Sequence, residues 1–86
     1  MAEVTVYTTA ICPYCVHAKR LLAARGIAYV EKDVGDDFAT RKWLIEATGQ
    51  RTVPQIFFGD LSIGGYMELA ALDRSGTLME TLEAQG

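Results

Sequence analysis

Cysteine, proline, histidine and tryptophan are scarce in this 86-residue chain, with two of each of the first two and one of each of the others. Two thiols cannot build the multi-bridge framework that holds small secreted domains together, so a packed core must carry the fold. Basic residues are outnumbered, 8 against 11 acids, for a net charge of −3, and no basic stripe runs along any segment. A nucleic-acid surface is therefore disfavoured. No apolar stretch approaches the roughly 20 residues of a membrane span. No charged segment followed by an apolar one precedes the first β-prone run, which points to the reducing cytoplasm. Linkers, repeats and low-complexity tracts are also lacking, so residues 1–86 are expected to form one domain, near the small end of what folds alone. Half the residues are apolar, enough for a core and against disorder.

Val4 to Tyr7 is β-branched and aromatic and reads as a strand. Pro13 suits the first position of a helix running to about Arg25, with Cys15, Ala18, Leu21 and Leu22 on one stripe and Gly26 as its stop. Ile27 to Lys32 reads as a second strand, parallel to the first across a right-handed crossover. Asp36 or Asp37 can cap a second helix that buries Phe38, Leu44 and Ile45 and closes at Gly49. Thr52 to Phe58 and Leu61 to Ile63 flank Gly59-Asp60, a hairpin signal with glycine where a type II′ turn needs it. Gly64-Gly65 ends the hairpin, and Tyr66 to Asp73 and Thr77 to Glu83 read as short helices. The order β-α-β-α-β-β-α implies an α/β fold: a four-stranded mixed sheet with helices on both faces.

Cys12-Pro13-Tyr14-Cys15 falls directly after the first strand. A CxxC beside a βαβ pattern reads as a redox motif of the thioredoxin kind. Thiolate is the attacking species, and Cys12 sits at or near a helix N-cap, where unpaired backbone N–H groups and the helix dipole favour negative charge. Cys15 lies on the apolar stripe, so Cys12 is assigned as nucleophile and Cys15 as the resolving thiol. A purely structural disulfide would restrain little chain in so tight a loop. Zinc would want about four ligands where two thiols and His17 are on offer; His17 is off the stripe and reads as a solvated helix residue.

With this motif after a strand, Thr52-Val53-Pro54 before a hairpin and Gly64-Gly65 before a short helix, the chain resembles a glutaredoxin, most of all the small bacterial dithiol kind. The likeness runs from Val4 to Asp73. It implies a thioredoxin-like fold and a glutathione-disulfide oxidoreductase that reduces protein disulfides and glutathione mixed disulfides in cell redox homeostasis. Glutathione would be the reducing co-substrate, with no permanently bound cofactor or metal. Ribonucleotide reductase is a candidate partner at the level of the family only, and a monomer is expected. Glutathione would contact Tyr14, Arg41, Thr52, Val53, Pro54, Gly65, Tyr66 and Met67. Pro54 would be cis, Val53 would pair its backbone with the cysteinyl unit, Arg41 would meet the glycine carboxylate, and the glycine pair would admit the γ-glutamyl carboxylate to helix N–H groups. By their residues alone, Pro54 also fits a strand start, Arg41 a solvated helix arginine and the glycines a plain turn. Thr9 stands where the family usually has lysine, and Met67 where it commonly has an acid, with Glu68 next. Each departure removes a charge-assisted contact worth about 1.5–3 kcal/mol when buried and less when exposed, so looser glutathione binding is expected. The family also contains carriers that share an iron–sulfur cluster between two chains, which Pro13 disfavours, and a redoxin fed by thioredoxin reductase stays open.

Overall fold

The structure, a computed structural model, describes residues 2–86. Its elements are β1 (Val4–Thr8), α1 (Pro13–Ala24), β2 (Val30–Asp33), α2 (Phe38–Thr48), β3 (Gln55–Phe58), β4 (Leu61–Gly64), α3 (Tyr66–Ser75) and α4 (Leu78–Ala84). The sheet order is β2-β1-β3-β4. β1 and β2 are parallel across α1, while β3 is antiparallel to both β1 and β4. The expected mixed four-stranded sheet of the thioredoxin kind is therefore what the chain forms.

Alternation along the two central strands divides the core. Val4 pairs with Phe58 and Val6 with Ile56, and these four meet Ala18 and Leu22 of α1, Leu69 of α3, and Leu78 and Leu82 of α4. The intervening residues point the other way, as a period of two requires. Tyr7 and Phe57 pack with Val34 and with Leu44 of α2, and Trp43 stacks on Phe57 at 5.6 Å between ring centroids. Thus α1, α3 and α4 cover one face of the sheet and α2 the other.

Two expectations need correction. The second strand begins at Val30, not Ile27, and all four of its residues are exposed. Ile27 is buried with the α1 side of the core because it closes the helix instead. Its N–H donates to Leu22 O at 2.9 Å and that of Gly26 to Ala23 O at 3.0 Å, with Gly26 left-handed at φ 69°. That is the paired 6→1 and 5→2 closure of a Schellman motif, which leaves Ile27 no ladder donor and sends its side chain back onto Leu22. On α2, Leu44 is buried as expected and Ile45 only in part, but Phe38 is 85% exposed. Six positions from Leu44 at about 100° each leaves Phe38 roughly 120° round the helix, off the sheet-facing side.

Local chemistry accounts for the remaining boundaries. Asp37, not Asp36, caps α2, accepting from Thr40 N at 3.0 Å and Thr40 Oγ1 at 2.7 Å. Gly59 has φ 60° and, among the described residues, no non-glycine residue has a positive φ, so Asp60 does not; of the two tight hairpin turns only type II′ fits. A bulge between Ile56 and Phe57 shifts the β3–β4 register.

The edge strand β2 is held by a polar cluster. Buried Thr8 donates to Glu31 Oε2 at 2.8 Å, and Lys19 Nζ reaches the same oxygen at 3.0 Å. These two hydrogen bonds, Thr8 first, hold the Glu31 carboxyl below its ordinary value of 4.5. A carboxyl lowered on folding stabilises the fold fully above the ordinary value and loses that contribution as pH falls through the lowered one. Glu31→Gln is therefore expected to flatten the loss of stability below about pH 4.5, measured as urea midpoints across the acid range. An unchanged acid limb would show that the cluster does not couple to folding.

Candidate active site

The carboxyl end of β1 hands the chain directly to α1, and the dithiol lies at that junction. Cys12 is the N-cap of α1 in extended conformation, φ −151° and ψ 96°, and Pro13 takes the first helical position. Proline suits it because its missing N–H would have no helical partner there. Cys12 and Cys15 are disulfide-bonded, with Cα atoms 5.2 Å apart, inside the range a bridge can span. Their environments differ. Cys15 is 2% exposed, on the stripe with Ala18 and Leu22, whereas Cys12 keeps partial access to solvent.

Backbone groups of α1 and of the segment preceding β3 converge on Cys12 Sγ. The Cys15 N–H donates to it at 3.1 Å, an orphan amide of the first turn put to use. Val53 O stands 3.6 Å away. The donor favours negative charge on the sulfur and the carbonyl opposes it. At 3.6 Å the carbonyl is beyond a strong contact, while a hydrogen bond to a charged group is worth about 1.5–3 kcal/mol. The amide dominates.

Beside the disulfide runs a groove of about 220 Å³, lined by Tyr14, Thr52, Val53, Pro54, Gly65, Tyr66, Met67 and Glu68. Seven of the eight residues singled out for glutathione therefore meet in one depression. Arg41 does not. It lines an adjoining hollow with Gln50, Arg51, Thr52 and Val53, so only the Thr52-Val53 segment is common to both. The Val53–Pro54 peptide bond is cis and Pro54 is buried. Met67 is largely exposed, so an apolar side chain stands at the rim. Thr9 is partly buried and lines neither hollow.

Three contributors escaped the sequence. Glu68 is the groove's one charged lining residue, and its Oε1 accepts from Gly65 N at 2.7 Å. The signal was present as glutamate three residues after an N-cap, half of a capping box; glycine has no side chain to complete the other half. This bond takes up the Gly65 N–H, so of the helix N–H groups expected to face an incoming carboxylate the first-turn amides of Tyr66 and Met67 have no such side-chain acceptor. His17, expected to be solvated, is exposed but clusters with aromatic rings. Its ring is 5.5 Å from Tyr66 and 6.1 Å from Tyr14, and those two tyrosines stack at 6.2 Å. A three-ring wall thus links α1 to α3. Gln55, buried at the start of β3, donates from Nε2 to Thr52 O at 2.8 Å and to Gln50 Oε1 at 3.2 Å. It holds the segment that places Val53 against the sulfur, a role no local pattern announces. Among the described residues no three of His, Cys, Asp and Glu come together as metal ligands, and no helix is long and apolar enough to cross a membrane.

The chain resembles known proteins in both sequence and fold. Residues 4–63 match the family model described as glutaredoxin. The chain is 44% identical over 78 residues to glutaredoxin 3 of Escherichia coli strain K12, covering 91% of this chain and 94% of that protein. It is 42% identical over 84 residues to a glutaredoxin of Pseudomonas aeruginosa, covering 98% of this chain and all of the relative. Among solved structures, a buckwheat glutaredoxin–glutathione complex superposes with a TM-score of 0.89 at 31% identity, over 99% of this chain and 80% of that one. A solution structure of glutaredoxin from Brucella melitensis gives 0.85 at 40% identity, over 95% of this chain and 89% of the other.

Proposed function

The chain belongs to the glutaredoxin family of thiol–disulfide oxidoreductases, and we propose that glutathione is its electron donor and that its substrates are protein disulfides and glutathione mixed disulfides. The observation that carries this is the asymmetry of the dithiol: one sulfur accepts an N–H at 3.1 Å and lies beside Val53 of the groove wall in a partly exposed residue, the other is buried. Cys12 thiolate attacks one sulfur of a substrate disulfide, and the other substrate sulfur leaves as a thiol after taking a proton. Cys15 then attacks Cys12 Sγ, releasing the second substrate thiol and closing the Cys12–Cys15 disulfide. Two glutathione molecules restore the start. The first attacks the accessible Cys12 Sγ and frees Cys15; the second attacks the glutathionyl sulfur, freeing Cys12 and leaving as glutathione disulfide.

The groove supports the choice of donor. An extended tripeptide laid along Val53 can share its backbone groups as an added strand would. Its γ-glutamyl carboxylate would reach the first turn of α3, where N–H groups and the dipole favour an anion. Its glycine carboxylate would point toward Arg41 across Thr52-Val53. Thr9 and Met67 supply none of the family's charge there, so the affinity is set mainly by backbone contacts. The buckwheat complex with glutathione has the same fold. A reducing compartment such as the cytoplasm would maintain the donor.

The test is the electron source. Purified protein is expected to turn over hydroxyethyl disulfide with glutathione, glutathione reductase and NADPH, and to be reduced far more slowly by thioredoxin reductase with NADPH. The reverse preference would overturn the assignment of donor while leaving the family intact.

A further inference from the structure

The outward side of α2 carries chemistry that disulfide exchange alone does not use. Phe38, Arg41, Lys42, Ile45 and Glu46 follow one another at i, i+3, i+4, i+7 and i+8, which is one face of a helix. With Arg51 they line a depression of about 620 Å³. Two apolar side chains sit on it, one of them the most exposed phenylalanine position of the fold at 85%. Three cations face it against one carboxylate, in a chain whose net charge is −3. Among the described residues the ion pairs are Lys19–Glu31 and Arg25–Asp73, so none of these three cations is neutralised. The depression is also continuous with the chemistry. Arg41, Ile45 and Arg51 line the small hollow shared with Thr52 and Val53, and Thr52 and Val53 line the groove at the dithiol.

We propose that this face docks an acidic stretch of the substrate polypeptide, carrying an apolar side chain, that lies alongside the target disulfide. The proposal rests on the dithiol reading above and extends it from small disulfides to the class of protein selected. Carboxylates of the stretch meet Lys42 and Arg51, and its apolar residue covers Phe38 and Ile45, whose exposure to water is otherwise unrelieved. A tripeptide bound at the groove would reach Thr52, Val53 and Arg41 and leave Phe38, Lys42, Ile45 and Arg51 uncovered. The face therefore discriminates among polypeptides and leaves small disulfides alone. Complementary charge of this kind acts chiefly on the rate of encounter.

The experiment is a single turnover of the reduced protein with two synthetic peptides, each holding one intrachain disulfide. One carries Asp-Leu-Glu beside it and the other Lys-Leu-Lys. The Cys12 and Cys15 thiols pass two electrons and two protons to the peptide, which becomes a dithiol as Cys12–Cys15 closes. The acidic peptide is expected to react about 10-fold faster at low ionic strength, with the advantage fading in about 0.5 M salt. Lys42→Glu combined with Arg51→Glu should reverse the preference while the rate on hydroxyethyl disulfide stays at the level of the parent protein. Equal rates for the two peptides, or a preference untouched by the double substitution, would overturn the docking face. Failure of the parent protein to reduce hydroxyethyl disulfide would instead overturn the dithiol assignment beneath it.

Discussion

Replacing Cys12 by serine is expected to reduce turnover of every disulfide substrate to background, a loss of at least about 10³-fold for a missing covalent nucleophile. Cys15→Ser should keep the reduction of glutathione mixed disulfides and lose that of protein disulfides. The difference follows from where the two sulfurs lie. Cys12 Sγ is at the N-cap with an amide donor and an open side, so it can be reached by substrate and can leave as a thiolate. Cys15 is buried against the core stripe and can attack only what Cys12 already holds. In the proposed cycle a glutathione mixed disulfide needs one attack to give glutathionylated Cys12, which a free glutathione then clears. A protein disulfide leaves Cys12 tethered to its substrate, and release then depends on Cys15. Assays of both substrates with each variant, alongside mass spectrometry for trapped Cys12 adducts in Cys15→Ser, read this directly. Equal loss in both variants would contradict the assignment. So would adducts on Cys15 in Cys12→Ser.

The second large effect is on stability. Phe58→Ala is expected to cost about 3–5 kcal/mol, the range for a buried phenylalanine cut to a methyl group. Phe58 is 0% exposed and heads the fully buried side chains by volume. It pairs with Val4 across the sheet and packs in the cluster that joins α1, α3 and α4. The cluster to which three helices contribute loses its bulkiest fully buried side chain when it goes, and close-packed surroundings relax only in part to fill such a gap. Total stability in small domains is about 5–15 kcal/mol, so the variant should lose at least about a fifth of it, with a urea midpoint lowered in proportion. A cost under about 1 kcal/mol, the range of well-tolerated core swaps, would mean that the core collapses around the gap and that packing here is looser than the burial implies. Phe38→Ala, as a comparison on the same scale, should stay within about 0.5 kcal/mol, as exposed positions do.

What the amino-acid order determined by itself was everything written at short range. The period of two in Val4–Tyr7 and Gln55–Phe58 split their side chains into two opposite sets. The proline–cysteine spacing fixed a dithiol at the opening of a helix, and Gly59-Asp60 fixed the hairpin turn. These are legible because each depends on a few neighbouring dihedrals or on a period of two or 3.6. Only the tertiary structure decided the rest. The expected second strand lost Ile27 to a helix closure, since the amide could serve only one of two acceptors. Phe38 went outward because a helix has more apolar positions than the sheet below it can cover. Val53 came within reach of Cys12 because β3 lies next to β1, 41 residues away in sequence, with buried Gln55 bracing the segment between. Which partner lies across an element depends on the whole set of competing contacts, and no local pattern contains that set.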